Sequence, residues 1–450
     1  MSHYKAYPAY KDSGVKWIGP VPEHWEVKRL RHAATFKNSN VDKKSYDGQQ
    51  AIHLCNYTDV YYNEFITSGL SFMPSTASAV EVEQFSLKRG DVIITKDSED
   101  PSDIGIPAIV AEDLDGVVCG YHLTVIRAAD LEAARVIHRA IQSNPTKAHF
   151  FVEAPGITRY GLNQDAIGAT QICLPPPQER KNVADHIDRE TSRIDALITK
   201  KTRFIELLQE KRQALITHSI TKGLDPNVRM KDSGVEWIGE VPEHWEVKRL
   251  RHAATFKNSN VDKKSYDGQQ AIHLCNYTDV YYNEFITSGL SFMPSTASAA
   301  EIEQFALKRG DVIITKDSED PSDIGIPAIV AEELGGVVCG YHLTVIRAAD
   351  LEAARVIHRA IQSNPTKAHF FVEAPGITRY GLNQDAIGDT RICLPPPQER
   401  KNLADHIDRQ TSCIDALIEK TKRSIDLLKE RRSAFITAAV TGQIDLREAA

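Results

Sequence analysis

The sequence predicts two near-identical mixed α/β (α+β) domains, each followed by one long α-helix. Three observations carry that reading. Residues 11–200 recur at 231–420, an offset of 220 (231 − 11), with only about 13 of roughly 190 positions changed. Each copy opens with short β-like runs bounded by turn residues, and each closes with an apolar heptad pattern over roughly 40 residues. The period is far longer than a solenoid unit, so the chain carries one globular unit twice and presents one surface twice.

Within a copy, AIHLCNY (51–57), DVIITKD (91–97), IPAIVAE (106–112) and YHLTVIR (121–127) are rich in Ile, Val, Thr and Tyr and flanked by Gly, Pro or Asp. Such runs are strands. Leu131–Gln142 places Ala134, Ile137 and Ile141 on one side, as an amphipathic helix does. LPPPQER (174–180, again 394–400) ends the preceding strand and starts a long helix. In that helix Ile187, Ile194, Leu208 and Leu215 share one heptad position, and Ile198 and Ile205 a second. Ile407, Ile414, Leu428, Phe435, Ile418 and Ile425 fill the same slots in the second helix. The result is a coiled-coil seam, interrupted by Thr191, Lys201 and Arg212 and by Thr411, Thr421 and Arg432. The expected divisions are a domain at 1–175, a helix at 176–222, a second domain at 223–395, a second helix at 396–442 and a tail at 443–450. Residues 87–112 and 116–168 match their counterparts without exception, whereas the sequence drifts after Thr199. The helices need only a pattern; the domains hold a particular surface.

With 42% apolar and 26% charged residues the composition is that of a globular protein. No apolar run approaches bilayer length and nothing resembles a signal peptide, so the expected location is the cytoplasm. Seven cysteines form three repeated pairs and a lone Cys413, with no CxxC, as expected of small buried thiols in a reducing compartment. His53 and Cys55 could face one way on a strand, but two ligands make no closed zinc site. A net charge of −7 argues weakly against a small nucleic-acid binder, without excluding local basic patches.

Catalytic motifs are missing where each chemistry would need them. The nearest matches to an adenine methylase tetrapeptide, SNPT (143–146) and LPPP (174–177), lack its aromatic residue and its dipeptide. No GxxxxGK[ST], GxSxG or HExxH occurs. The acidic residues of PEHWEVK (22–28) stand too close in sequence to share a nuclease metal from adjacent strands. No catalytic residue and no metal site is expected.

KDSGVxWIGxVPEHWEVKRL at the head of each copy resembles the signature of specificity subunits of type I restriction-modification systems. LPPPQERKNxADHID, TKGLDPNVRMKDSG (221–234) and AVTGQIDLRE (439–448) are similar to the same family, in the same order along the chain. The resemblance implies two target-recognition domains whose helices pair as an antiparallel coiled coil with pseudo-two-fold symmetry. It implies a non-enzymatic DNA reader that sets the spacing of its two domains. The implied partners are double-stranded DNA, two methylase (modification) subunits and, in some systems, two motor-nuclease (restriction) subunits. S-adenosylmethionine, ATP and magnesium would then be bound by the partners, with no cofactor in this chain.

Reading bases needs bidentate or charged donors and acceptors on loops that enter the major groove. TRYGLNQDAIG supplies Arg159, Tyr160, Asn163 and Gln164, TKDSEDPSDIG supplies Lys96, Asp97 and Ser98, and YHLT supplies Tyr121 and His122. Their counterparts are Arg379, Tyr380, Asn383, Gln384, Lys316, Ser318, Tyr341 and His342. Lys37, Lys43 and Lys44, repeated as Lys257, Lys263 and Lys264, are candidates for phosphate contacts, which set affinity without reading sequence. The competing class is a protein-interaction scaffold, two adaptor domains on a coiled coil with no role on DNA.

Overall fold

The computed structural model describes residues 4–447. Residues 1–3 of the first expected domain and 448–450 of the expected tail lie outside the described residues. The chain forms two compact units. One joins Met1–Thr202 to Arg423–Ala450 and the other is Arg203–Lys422. Each unit thus owns one α/β domain, the front of the helix that follows it or its counterpart, and the opposing stretch of the other long helix.

In the first unit a five-stranded sheet runs in the order Ala34–Asn38, Leu123–Ala128, Val92–Thr95, Pro107–Val110, Phe65–Ile66. Only the last pair is parallel. Val92–Thr95 is buried along its whole length, as a central strand covered on both faces must be. Alternation divides its side chains between two cores. Val92 and Ile94 pack with Ile137, Ile141, Ile187 and Phe435, whereas Ile93 packs with Leu54, Val118 and Val125. The second core is floored by a three-stranded sheet, Val117–Cys119, Gln50–Cys55 and Met73–Ala77. His53 is exposed and Cys55 buried, so the two do not present ligands together. The helix Leu131–Gln142 has the expected ends; the Asp130 carboxylate caps it by accepting from the Ala133 N–H at 2.7 Å. The second unit repeats this order strand for strand.

The long helices span Pro177–Lys222 and Pro397–Val440. Proline is tolerated at such a start because the first-turn N–H has no helical partner anyway. All twelve seam positions are buried or half-buried. Inside the first unit Asp195 meets Arg432 while His186 lies against Phe435, so the two helix segments run antiparallel. Inside the second, Leu208 packs with Ile414 and Ile418, and Arg212 meets Asp415, with the same sense. Thr191 and Thr411 interrupt the seam without leaving an orphan, each hydroxyl donating to the carbonyl one turn back, at 2.8 and 2.9 Å.

Arg212 and Arg432 are not gaps in the seam but nodes of an ion network. Arg432 binds Asp195 and Glu64, and Glu64 in turn binds Arg139, whose side chain is only 2% exposed. Arg139 and Arg135 share Asp188 on the first long helix, at 2.7 and 2.6 Å. Arg212, Glu284, Arg359, Asp408 and Arg355 repeat the chain in the second unit. Burial alone would raise the Glu64 and Asp188 carboxyls, but the facing guanidinium groups hold both below the ordinary carboxylate range.

A second polar attachment, a clasp, joins each domain to the start of its long helix. The buried Trp25 donates its indole N–H to Glu179 at 3.1 Å, and His24 bonds the same carboxylate at 2.9 Å. Trp245, His244 and Glu399 repeat the arrangement. Gly442, with φ +70, lies so near Pro22 that an added Cβ would come within 2.2 Å of it. The segments on which the family resemblance rests therefore meet around these two tryptophans and serve the scaffold.

Two tests follow from this packing. Asp188→Asn leaves two guanidinium groups sharing a neutral partner and should cost about 3 kcal/mol in a urea melt. His138 and His358, buried beside Arg139 and Arg359, have pKa values lowered to about 3 by burial and by those guanidinium groups. The unfolded chain protonates these imidazoles near pH 6.5 and the folded one does not. Stability should therefore fall as pH drops below about 6.5, by up to about 1.4 kcal/mol per pH unit for each histidine. The double variant His138→Gln, His358→Gln should show a flatter profile between pH 6.5 and 5.

Candidate nucleic-acid interface

Three chain segments far apart in sequence build one polar surface on each domain. The strand Asp97–Ser98 pairs antiparallel with Tyr160–Gly161, setting Tyr160 opposite Ser98. The Leu162 N–H donates to the Lys96 carbonyl at 2.7 Å and the Lys96 N–H to the His122 carbonyl at 2.9 Å. Lys96, Tyr121, His122 and Tyr160 are thereby gathered, with Arg159 exposed at the edge, whereas Ser98 and Ser318, expected to read bases, are buried and donate their hydroxyls to Asp103 and Asp323.

His122 and His342 are the only non-glycine residues with positive φ among the described residues, 74° and 73°. That conformation costs energy for a side chain with a Cβ and clusters at functional sites. The His122 Nδ1 lies 2.6 Å from the Asp97 carboxylate, which fixes the ring. Its ring also packs against Tyr121 at 4.1 Å, and the Lys96 ammonium sits 4.7 Å from the Tyr121 ring centroid, a cation–π contact. In the second unit the Arg379 guanidinium comes within 3.3 Å of His342.

Asp103 braces the surface from below. It accepts from the Ser98 hydroxyl and, at 2.6 Å, from the Tyr61 hydroxyl. That bond and the adjacent negative charge push the Tyr61 phenol up to about 12. Tyr57 and Tyr61 stack at 5.5 Å, and Tyr62 stands against Tyr61 with 76% of its surface exposed. In the second unit the matching tyrosines, Asp317, Asp323, His342 and Arg379 line an open cleft of about 430 Å3. The sequence reading missed Tyr61 and Asp103; the polar DSxxxxD spacing from Asp97 and Ser98 to Asp103 was the available signal.

The other expected residues divide. The loop carrying Lys43 and Lys44 adjoins the cluster, since the Tyr121 N–H donates to the Val41 carbonyl at 2.8 Å, and both lysines are exposed. Lys37 stands elsewhere, on a sheet strand with its ammonium 2.6 Å from the Gln84 side chain. Lys257, Lys263 and Lys264 are exposed like their counterparts. Asn163 also acts locally. Its Oδ1 caps the helix Gln164–Ala169 by accepting from the Ala166 N–H at 2.8 Å, as Asn383 does for Ala386. Gln164 and Gln384 open those short helices with exposed side chains. None of the positions that differ between the copies falls within this polar surface.

The capping role changes how Asn163 must be tested. Asn163→Ala costs about 1 kcal/mol through the lost cap alone. Asn163→Ser with Asn383→Ser keeps the cap and removes the carboxamide. It should leave the melting temperature within a degree or two while weakening binding to a duplex target, measured by fluorescence anisotropy.

No family model matches the chain. Relatives in sequence include the putative type I restriction enzyme MjaX specificity subunit of Methanocaldococcus jannaschii, 21% identical over 97% of this chain and 98% of the relative. The MjaVIII specificity subunit of the same organism is 22% identical over 62% of this chain, a match spanning 63% of that relative. The EcoKI specificity subunit of Escherichia coli is 17% identical over 95% of this chain and 90% of its own length. Among solved structures, a chain from a study of complex assembly and conformational transition in a type I restriction-modification system superposes with a TM-score of 0.68. It is 15% identical and covers 94% of this chain and 99% of its own. The HsdS subunit of Thermoanaerobacter tengcongensis, also 15% identical, covers 94% of this chain and 98% of its own with a TM-score of 0.50. The chain has the fold of these specificity subunits along nearly its whole length.

Proposed function

We propose that this chain is the DNA-specificity subunit of a type I restriction-modification complex, itself without catalytic activity and acting in the cytoplasm. The observation that carries the proposal is the duplicated polar surface of Lys96, Tyr121, His122 and Arg159, set on a fold shared with specificity subunits. A strained histidine oriented by Asp97, an exposed arginine and a lysine over a tyrosine ring are groups suited to base edges. The neighbouring Lys43 and Lys44 suit phosphates.

The partners under this reading are double-stranded DNA, two methylase subunits and, where the system cleaves, two motor-nuclease subunits. Adenine methylation would use S-adenosylmethionine bound by the methylases, and cleavage would use ATP and magnesium on the motor-nuclease. This chain's own residues bind, orient and space. The long helices, about 66–69 Å from end to end, would hold the domains apart and offer the partners a docking rod.

Because the two reading surfaces are the same in sequence, the half-sites are the same. The antiparallel run of the helix segments within each unit supports half-sites in inverted order, a bipartite palindrome of the form XYZ-N(k)-Z′Y′X′ with centres about 10–11 bp apart. Sequencing of methylated adenines across the host genome should return such a palindrome; two unrelated half-sites would refute it. Four residues inserted after Thr199 and after Glu419 add about 6 Å of helix. The same methylation map should then show a longer gap between unchanged half-sites. A duplex that binds no better than random DNA in a gel shift, with and without the co-purified methylase, would favour a protein scaffold instead.

A further inference from the structure

The most exposed large apolar side chain of each copy, Ile157 at 92% and Ile377 at 93%, stands at the tip of a loop beside the reading surface. We propose that Ile157 and Ile377 read the C5-methyl group of a thymine in each half-site, through the major groove. The inference rests on the DNA-reading function proposed above and names a further specificity-determining residue for it.

The loop is built to hold that tip. Its base is the Tyr160–Ser98 strand pairing, and Ser98 is itself held by Asp103. Across the loop the Gly161 N–H donates to the Pro155 carbonyl at 3.3 Å, and the Tyr160 hydroxyl donates to the Ile157 carbonyl at 3.4 Å. Gly156 lies so tightly against the following turn that an added Cβ would come within 2.2 Å of the Arg159 carbonyl. The second copy repeats each contact. An ordered loop that displays an isoleucine to water gives up the roughly 1.5–3 kcal/mol that its burial would supply. A binding surface recovers that energy on contact.

The neighbours select the partner. Arg159 follows two residues later, and Lys96 and His122 belong to the same surface, so the isoleucine projects from among hydrogen-bond donors. Donors match the N7, O6 and O4 acceptors of the major groove, and the one apolar group that groove displays in unmodified DNA is the thymine methyl. The minor groove displays none. A β-branched side chain on a fixed loop meets a methyl group with little rotamer entropy to lose.

The test compares the full chain with its Ile157→Ala, Ile377→Ala variant, each used to enrich targets from a random duplex pool. At 92% exposure the change removes no packing. The wild-type chain should demand one T·A pair in each half-site, and the variant should relax that position alone. Replacing that thymine with deoxyuridine should weaken wild-type binding about four-fold per half-site, the factor carried by burial of one methyl-sized group. The variant should lose nothing further on the same replacement. An unchanged motif, or a wild-type chain indifferent to deoxyuridine, would overturn the inference while leaving the DNA-reading function intact. Equal losses on thymine and uracil duplexes with reduced DNA bending would identify a wedge between base steps instead. Intact binding with loss of the co-purified methylase would identify a protein contact. Enrichment of no motif by either protein would instead refute the DNA-reading function itself.

Discussion

Each unit depends on a guanidinium removed from water. Arg139 is 2% exposed, and a buried cation is tolerable only when carboxylates surround it in good geometry. Its carboxylates come from places the chain brings together only on folding: Glu64 from the loop after Tyr57–Tyr62, and Asp188 from the first long helix. Glu64 also reaches Arg432 on the second helix. The domain can therefore sit on its helix pair in one way without leaving a buried charge unpaired. Replacing the network with apolar residues would make a comparable core, but one more tolerant of sliding. For a protein whose proposed role is to hold reading surfaces at a set angle, that intolerance is useful.

The clasp at Trp25 complements the network. Glu179 follows directly on the prolines that start the long helix, so its bonds to Trp25 and His24 fix where the helix leaves the domain. Gly442 allows the end of the second helix to lie against Pro22 and Trp25 in the same place. Gly223, Pro242 and Trp245 do the same for the second unit within one continuous stretch of chain. Two separate polar attachments define an orientation better than an apolar core alone, because hydrophobic burial has no direction.

What the sequence made legible is what local pattern controls. The helix Leu131–Gln142 was visible to its ends because an aspartate cap and a 3.6-residue apolar rhythm are local facts. The seam was visible for the same reason, and the strand VIIT declared itself by its unbroken run of β-branched residues. Arg432 was legible only as a break in the seam, since its partners Glu64 and Asp195 lie hundreds of residues away in sequence. Within the reading surface, Lys96, His122 and Arg159 could be picked out singly as donors. Their assembly depends on the pairing of two-residue strands, which carry almost no sequence signal. Asn163 was legible as a polar residue but not as a cap. Ile157 escaped altogether, because an apolar residue outside any periodic pattern gives no clue to whether it is covered.

The residues that hold the frame and those that face outward form separate sets. Glu64, Arg139, Asp188, Trp25 and Glu179 are committed to the interior, while Lys43, Arg159, Ile157 and Tyr121 touch little of it. Selection can therefore rewrite the outward set in one copy alone without unsettling the architecture. A chain whose two surfaces begin alike thus has an open route to two unlike ones. Under the proposed reading function, each such step would change one of the two words that the chain binds.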